Sequence, residues 1–164
     1  MKGFAFMCLI AAALAAPAAV CQKAAAVTGA ACTKAQTELE AGIQANLDIQ
    51  AQELKGVQAL QNMSMCDTVM KGFVAQQKAV LDIQSKGIAI RAKNQELAKQ
   101  LNSPAIDGLA TVAKAQVQEK DQVSGLKGTA ADMKTLATLV QEVEDGTKQN
   151  EKNLAAAKSQ KCAA

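Results

Sequence analysis

Between Val69 and Leu101 apolar side chains recur in steps of three and four: Val69, Phe73, Val80, Ile83, Ile90, Leu97 and Leu101, with Gln76, Gly87 and Asn94 on the remaining rungs. That spacing draws one apolar stripe down a helix, and no proline interrupts it. An earlier stripe, Leu39, Ile43, Leu47, Leu54, Val57 and Leu60, marks a first long helix. Thr33 with Gln36 reads as its capping box, and it runs to about Asn62. Asn62-Met63-Ser64 reads as a turn, after which Ser64 and Asp67 supply a second capping signal. Asn102-Ser103-Pro104 ends the second helix: Ser103 can cap, Pro104 suits a first helical position, and Asp107 favours the positive end of the next helix.

From 105 to about 160 the rhythm continues through Leu109, Ala113, Val117, Val123, Leu126, Ala130, Met133, Val140 and Val143. As one helix this stretch would span on the order of 80 Å, against on the order of 50 Å for the second helix, at 1.5 Å per residue. A bend or break is therefore expected at Gly125/Gly128 or at Gly146. Short connections make neighbouring helices antiparallel. The expected fold is all-α: an antiparallel bundle of three long amphipathic helices, stabilised by disulfides, the third helix overhanging, bending or breaking near Gly125/Gly128 or Gly146.

Composition adds a destination. Lys2, the apolar run from Phe4 to Ala16, and Ala16-Pro17-Ala18 read as a secretory signal over residues 1–18, leaving 19–164 as one helical-bundle domain. The run is too short to span a membrane, so no transmembrane segment is expected. The expected location is secreted and extracellular, or periplasmic in a bacterium. Cys8 leaves with the signal, and Cys21, Cys32, Cys66 and Cys162 remain. Four cysteines in an exported chain imply two disulfides with three possible connectivities. In a three-helix topology Cys66 and Cys162 share one end, and a bridge needs Cα atoms within about 7 Å, so Cys66–Cys162 with Cys21–Cys32 is the expected pairing.

Candidate chemistry is sparse. The chain has no histidine, tyrosine or tryptophan, and no glycine-rich phosphate loop, which removes Ser-His and Cys-His pairs and argues against zinc. Glu38 with Glu40, and Glu142 with Asp145, read as solvated charges. No catalytic residue, cofactor or metal is expected, and the protein is read as not an enzyme. A single arginine, Arg91, and a single aromatic beyond the signal, Phe73, give base stacking and base-edge recognition no material, so no nucleic acid is expected.

Two features bear on binding. Met63, Met65, Met70 and Phe73, with Cys66 among them, form a soft apolar tip that either seals the bundle end or touches a partner. Asn62-Met63-Ser64 is an acceptor sequence for N-glycosylation at Asn62. Asn46, Gln50, Gln61, Gln76 and Asn94 fall inside or beside the apolar sectors. They either fix helix register or line a partly polar channel, with room supplied by Gly42, Gly56, Gly72 and Gly87. The functional expectation is a secreted non-enzymatic helical protein that binds an apolar surface or a lipid-like ligand. The alternative is a secreted protein-interaction module, an effector or a wall or matrix component, whose partner is another secreted or cell-wall protein. Helices striped this loosely also associate readily, which allows a homodimer.

Overall fold

The computed structural model describes residues 28–64 and 70–163, except the side chains of Met70 and Lys71. The expected signal at 1–18, Cys21, and Met65 and Cys66 of the tip lie outside these residues. The described chain forms four α-helices: α1 (Gly29–Ser64), α2 (Met70–Leu101), α3 (Ile106–Gly125) and α4 (Met133–Lys158), the last entered through a short 3-10 turn at Ala130–Asp132. Each helix packs against its two neighbours in a ring, α1 on α2 and α4, and α3 on α2 and α4.

The expected three-helix bundle is thus corrected to four helices, because the third element breaks at the first of the anticipated glycine sites. α3 stops at Gly125, Leu126 is extended, and Gly128 takes a left-handed φ of 75°. Thr129 and Asp132 then form a capping box, with Asp132 Oδ2 accepting from the backbone N–H of Lys127 (2.8 Å) and Thr129 (3.0 Å). A side chain at 128 would run into the Phe73 ring, 2.9 Å from an added Cβ. Gly146, the other candidate break, lies inside α4.

The remaining boundaries shift for local reasons. α1 begins at Gly29 rather than at Thr33, whose hydroxyl instead bonds back to the Gly29 carbonyl. α2 ends as expected at Leu101, with Asn102 in the left-handed conformation (φ 49°). The Ser103 N–H bonds the Ala98 carbonyl and the Asn102 N–H the Lys99 carbonyl, which closes the helix as a Schellman motif. Ser103 Oγ accepts from the Ala105 N–H (3.3 Å), so α3 starts at Ile106 rather than at Pro104.

Buried positions follow one rule on every helix, alternating steps of three and four: Leu39, Ile43, Asn46, Gln50, Glu53, Val57 and Leu60 on α1, and Leu109, Val112, Gln116, Glu119 and Val123 on α3. This is the seam spacing of left-handed helical bundles. The core divides in two along that seam. One apolar cluster, around Leu39, Ile43, Leu97, Leu101, Leu109 and Ala157, fills the end that holds the chain termini of the bundle. The other, around Val57, Leu60, Phe73, Val123, Leu136 and Leu139, fills the opposite end.

Cys32 at the start of α1 is bonded to Cys162 beyond α4. This overturns the expected Cys66–Cys162 and Cys21–Cys32 pairing, and the cause is topological. A fourth helix returns Cys162 to the end where α1 begins, away from the end where α1 stops at Ser64. Hydrogen bonds close the same end: Gln36 Nε2 donates to the Ala157 (3.1 Å) and Gln160 (3.2 Å) carbonyls, and Gln160 Nε2 to the Leu101 carbonyl (3.1 Å). The bridge spans 130 residues, a closure worth about 4–5 kcal/mol in the chain-entropy account. Peptide mapping without reduction is expected to recover Cys32 linked to Cys162. Cys32→Ser should lower the thermal midpoint markedly while leaving helix content by circular dichroism near the parent value.

Candidate functional site

Between the two apolar clusters the bundle is polar. Asn46, Gln50 and Glu53 of α1, Gln84, Arg91 and Asn94 of α2, Gln116 and Glu119 of α3, and Asn150 and Asn153 of α4 are all buried on the seam. Buried polar groups cost free energy unless they bond one another, so the arrangement of these ten residues decides what the layer is.

Glu53, fully buried, is its hub. Its Oε1 accepts from Gln84 Nε2 (2.8 Å) and from Gln116 Nε2 (3.0 Å), which ties α1 to α2 and α3. α4 is tied in separately: Asn150 Nδ2 donates to Gln50 Oε1 (2.9 Å), and Asn153 Nδ2 to Asn150 Oδ1 (3.1 Å). Small residues give these side chains room. A Cβ at Gly42 would overlap the Asn94 amide, one at Gly108 the Asn153 amide, and one at Gly146 would press on Gln50 Nε2.

The layer also holds charge. Burial, foremost, and then the neighbouring Glu53 carboxylate push the Glu119 carboxyl up to about 8, against the opposing pull of Arg91. Glu119 therefore holds its proton well above the usual carboxylate range, while Glu53 Oε2 is buried without a hydrogen-bond partner among the described residues. Burial raises Glu53 as well, opposed by the hydrogen bonds from Gln84 and Gln116 and by the charge of Arg91. Arg91 is 2 % exposed, and Nε, Nη1 and Nη2 have no hydrogen-bond partner among the described residues. Burial lowers its pKa, opposed by the charges of Glu53 and Glu119, yet neither carboxylate stands within ion-pair distance of it. Its guanidinium folds back over Gly87, where an added Cβ would meet Nη1 at 2.9 Å.

Two openings reach this layer from outside. A groove of about 470 Å³ between α1 and α2 is lined by Ala41, Gly42, Ala45, Ala89 and Ile90, with Asn94 among its walls and Glu38 and Lys93 beside it. A cavity of about 210 Å³ between α2 and α3 is lined by Ile88, Arg91, Ala92, Gln95, Ala113 and Val117. Among the described residues no group of three or more cysteine, aspartate or glutamate side chains could hold a metal ion.

Of the residues singled out from the sequence, Asn46, Gln50 and Asn94 join this layer. Gln76 instead bridges from α2 to the Gly56 carbonyl (3.3 Å), and Gln61 stays half-buried. At the tip, Phe73 is buried in the far apolar cluster with Met63 packed partly against it, and Asn62 is exposed on the last turn of α1. Glu53, Gln84, Arg91, Gln116, Glu119, Asn150 and Asn153 were not anticipated. Reading the register strictly from Leu39 and Ile43 would have reached Gln50 and Glu53 before Val57; following the apolar residues led to Leu47 and Leu54, which are only half-buried.

Compared with family models, with curated proteins and with solved structures, the chain matches none. What the protein does must therefore be read from the polar layer and its two openings.

The raised Glu119 pKa has a definite sign in stability. The unfolded chain ionises this carboxyl near 4.5 and the folded chain near 8, so its contribution is complete below 4.5 and is lost as pH rises to about 8. At about 1.4 kcal/mol for each tenfold change in acidity this amounts to a few kcal/mol, and Glu53 acts in the same direction. Denaturant unfolding should show stability falling from pH 4.5 to 8. Glu119→Gln, which removes the titrating group and keeps the side chain's shape, should flatten that fall and be the more stable protein at pH 8.

Proposed function

We propose that this protein is a secreted, non-enzymatic carrier that binds a lipid-like amphiphile along the seams of its helical bundle. The observation that supports it is the groove between α1 and α2. Its volume of about 470 Å³ falls within the range of small-molecule sites, about 300–1,000 Å³, and alanine, glycine and isoleucine dominate its walls. Asn94 and the flanking Glu38 and Lys93 add the few polar groups that orient a ligand with one polar end. A seam site is favoured over adsorption to a flat apolar surface for a simple reason. Val74 and Val117, 59 % and 55 % exposed, are the large apolar side chains standing free among the described residues, and two separate valines make no adhesive face.

A buried amide in the wall of an apolar groove suits an amphiphile better than a pure hydrocarbon, because a hydroxyl or carboxyl can supply the partner that Asn94 Nδ2 lacks. Native mass spectrometry of the protein, purified from its source without detergent, is expected to show a retained mass that fragments as an amphiphile. Ala41→Leu combined with Ala89→Leu, both at exposed positions on the groove walls, should remove that mass and leave the helix signal unchanged. A bare protein mass from the same source would sink the carrier reading and shift attention to protein partners.

A further inference from the structure

Arg91 is the sole arginine of the chain, and it is buried in the bundle with all three guanidinium nitrogens unpartnered among the described residues. A buried cation in that condition is costly, far more so than a missed amide bond, and buried guanidinium groups are ordinarily matched by an oxyanion in a planar, two-pronged pair. The two internal carboxyls do not take that place. Glu53 Oε1 is already bonded by Gln84 and Gln116, its Oε2 has no hydrogen-bond partner among the described residues, and neither Glu53 nor Glu119 stands within ion-pair distance of Arg91.

Arg91 also belongs to the wall of the cavity between α2 and α3, its three nitrogens themselves covered. The other walls are apolar (Ile88, Ala92, Ala113 and Val117), apart from Gln95. Val117 is one of the two large apolar side chains exposed among the described residues, and it belongs to this seam. A cation with no ion-pair partner, apolar walls and an exposed valine describe one kind of occupant. We propose that the α2–α3 seam binds a small carboxylate with an apolar tail, its head group paired with Arg91 and its tail passing Val117. The cavity of about 210 Å³ equals the share of about seven waters, room for a head group and a short tail. This rests on the reading of the bundle as a carrier and names the ligand's head group.

A single arginine makes the test direct, since one Nε–Hε resonance in a nitrogen-15 spectrum reports on Arg91 alone. Octanoate and octanol, alike in tail and different in charge, are titrated into the oxidised full chain at neutral pH. Octanoate is expected to shift the Arg91 resonance and to bind about tenfold or more tightly than octanol. Arg91→Gln should abolish that preference and Arg91→Lys should restore part of it; neither loses a hydrogen bond, so both should fold. Ala113→Leu, filling the seam from α3 without touching the charge, should weaken octanoate binding but spare any binding that Ala41→Leu removes. An Arg91 resonance that saturating octanoate leaves unmoved would overturn the inference, the seam then holding only water. If both probes then bind equally and Ala41→Leu removes both, the carrier reading stands without it. If neither probe binds, both readings fall.

Discussion

The bundle closes around a buried carboxylate. Glu53 lies on the seam of α1 with no exposure, and every element near it must meet the cost of taking a charge out of water. Gln84 and Gln116 do so by donating from α2 and α3, and Glu119 by holding its own proton above the usual carboxylate range. An apolar residue at 53 would leave those two amides without their acceptor. Buried ionic groups of this kind seldom stabilise a fold more than packed hydrocarbon would. What they do set is register: a slip of one step on any helix would strand several amides at once, where a slip of leucine past leucine costs less.

The ends of the molecule have a different logic. Each is an apolar cluster, and each is tied across helices by glutamine side chains that bond to backbone carbonyls. Gln36 and Gln160 act at the disulfide end, and Gln77 reaches the Val123 (2.7 Å) and Leu126 (3.1 Å) carbonyls where α3 stops. Those carbonyls lie in the last turn of α3 and just beyond it, where backbone donors run short; the Val123 carbonyl also accepts from the Leu126 N–H (3.3 Å). The abundance of glutamine in the sequence thus has an internal role as well as a solvating one. The Cys32–Cys162 bond adds a covalent clasp where the first and last helices meet.

A molecule with sealed ends and a polar middle is accessible from the side. Small residues line much of the two seams, Gly42, Ala45 and Ala89 on one and Ala92 and Ala113 on the other. Close helix approach and the two openings are thereby built from the same alanines and glycines. The α1–α2 groove is the roomier and the less charged in its depth; the α2–α3 cavity is smaller and is bounded by the one arginine. The two seams offer different chemistry on opposite neighbours of α2.

Helix, its periodicity and the end of α2 at Asn102-Ser103-Pro104 were determined by the sequence alone, because propensity, stripe and turn residues all act within a few positions of one another. The length mismatch between helices marked Gly125/Gly128 and Gly146 as candidate breaks, and the structure chose the first. Only the tertiary structure decided the rotation of the inward face. Phe73, Val80, Gly87, Asn94, Leu97 and Leu101 of the α2 stripe are buried, but Ile83 and Ile90 remain half-buried while Gln84 and Arg91 beside them occupy the seam. A rotation of that kind costs little locally, since either face is a good helix surface, and what selects it is the partners on α1 and α3 that bond Gln84 and surround Arg91. Disulfide pairing was hidden for a related reason: which end Cys162 reaches depends on the parity of the helix count, which no residue near a cysteine records.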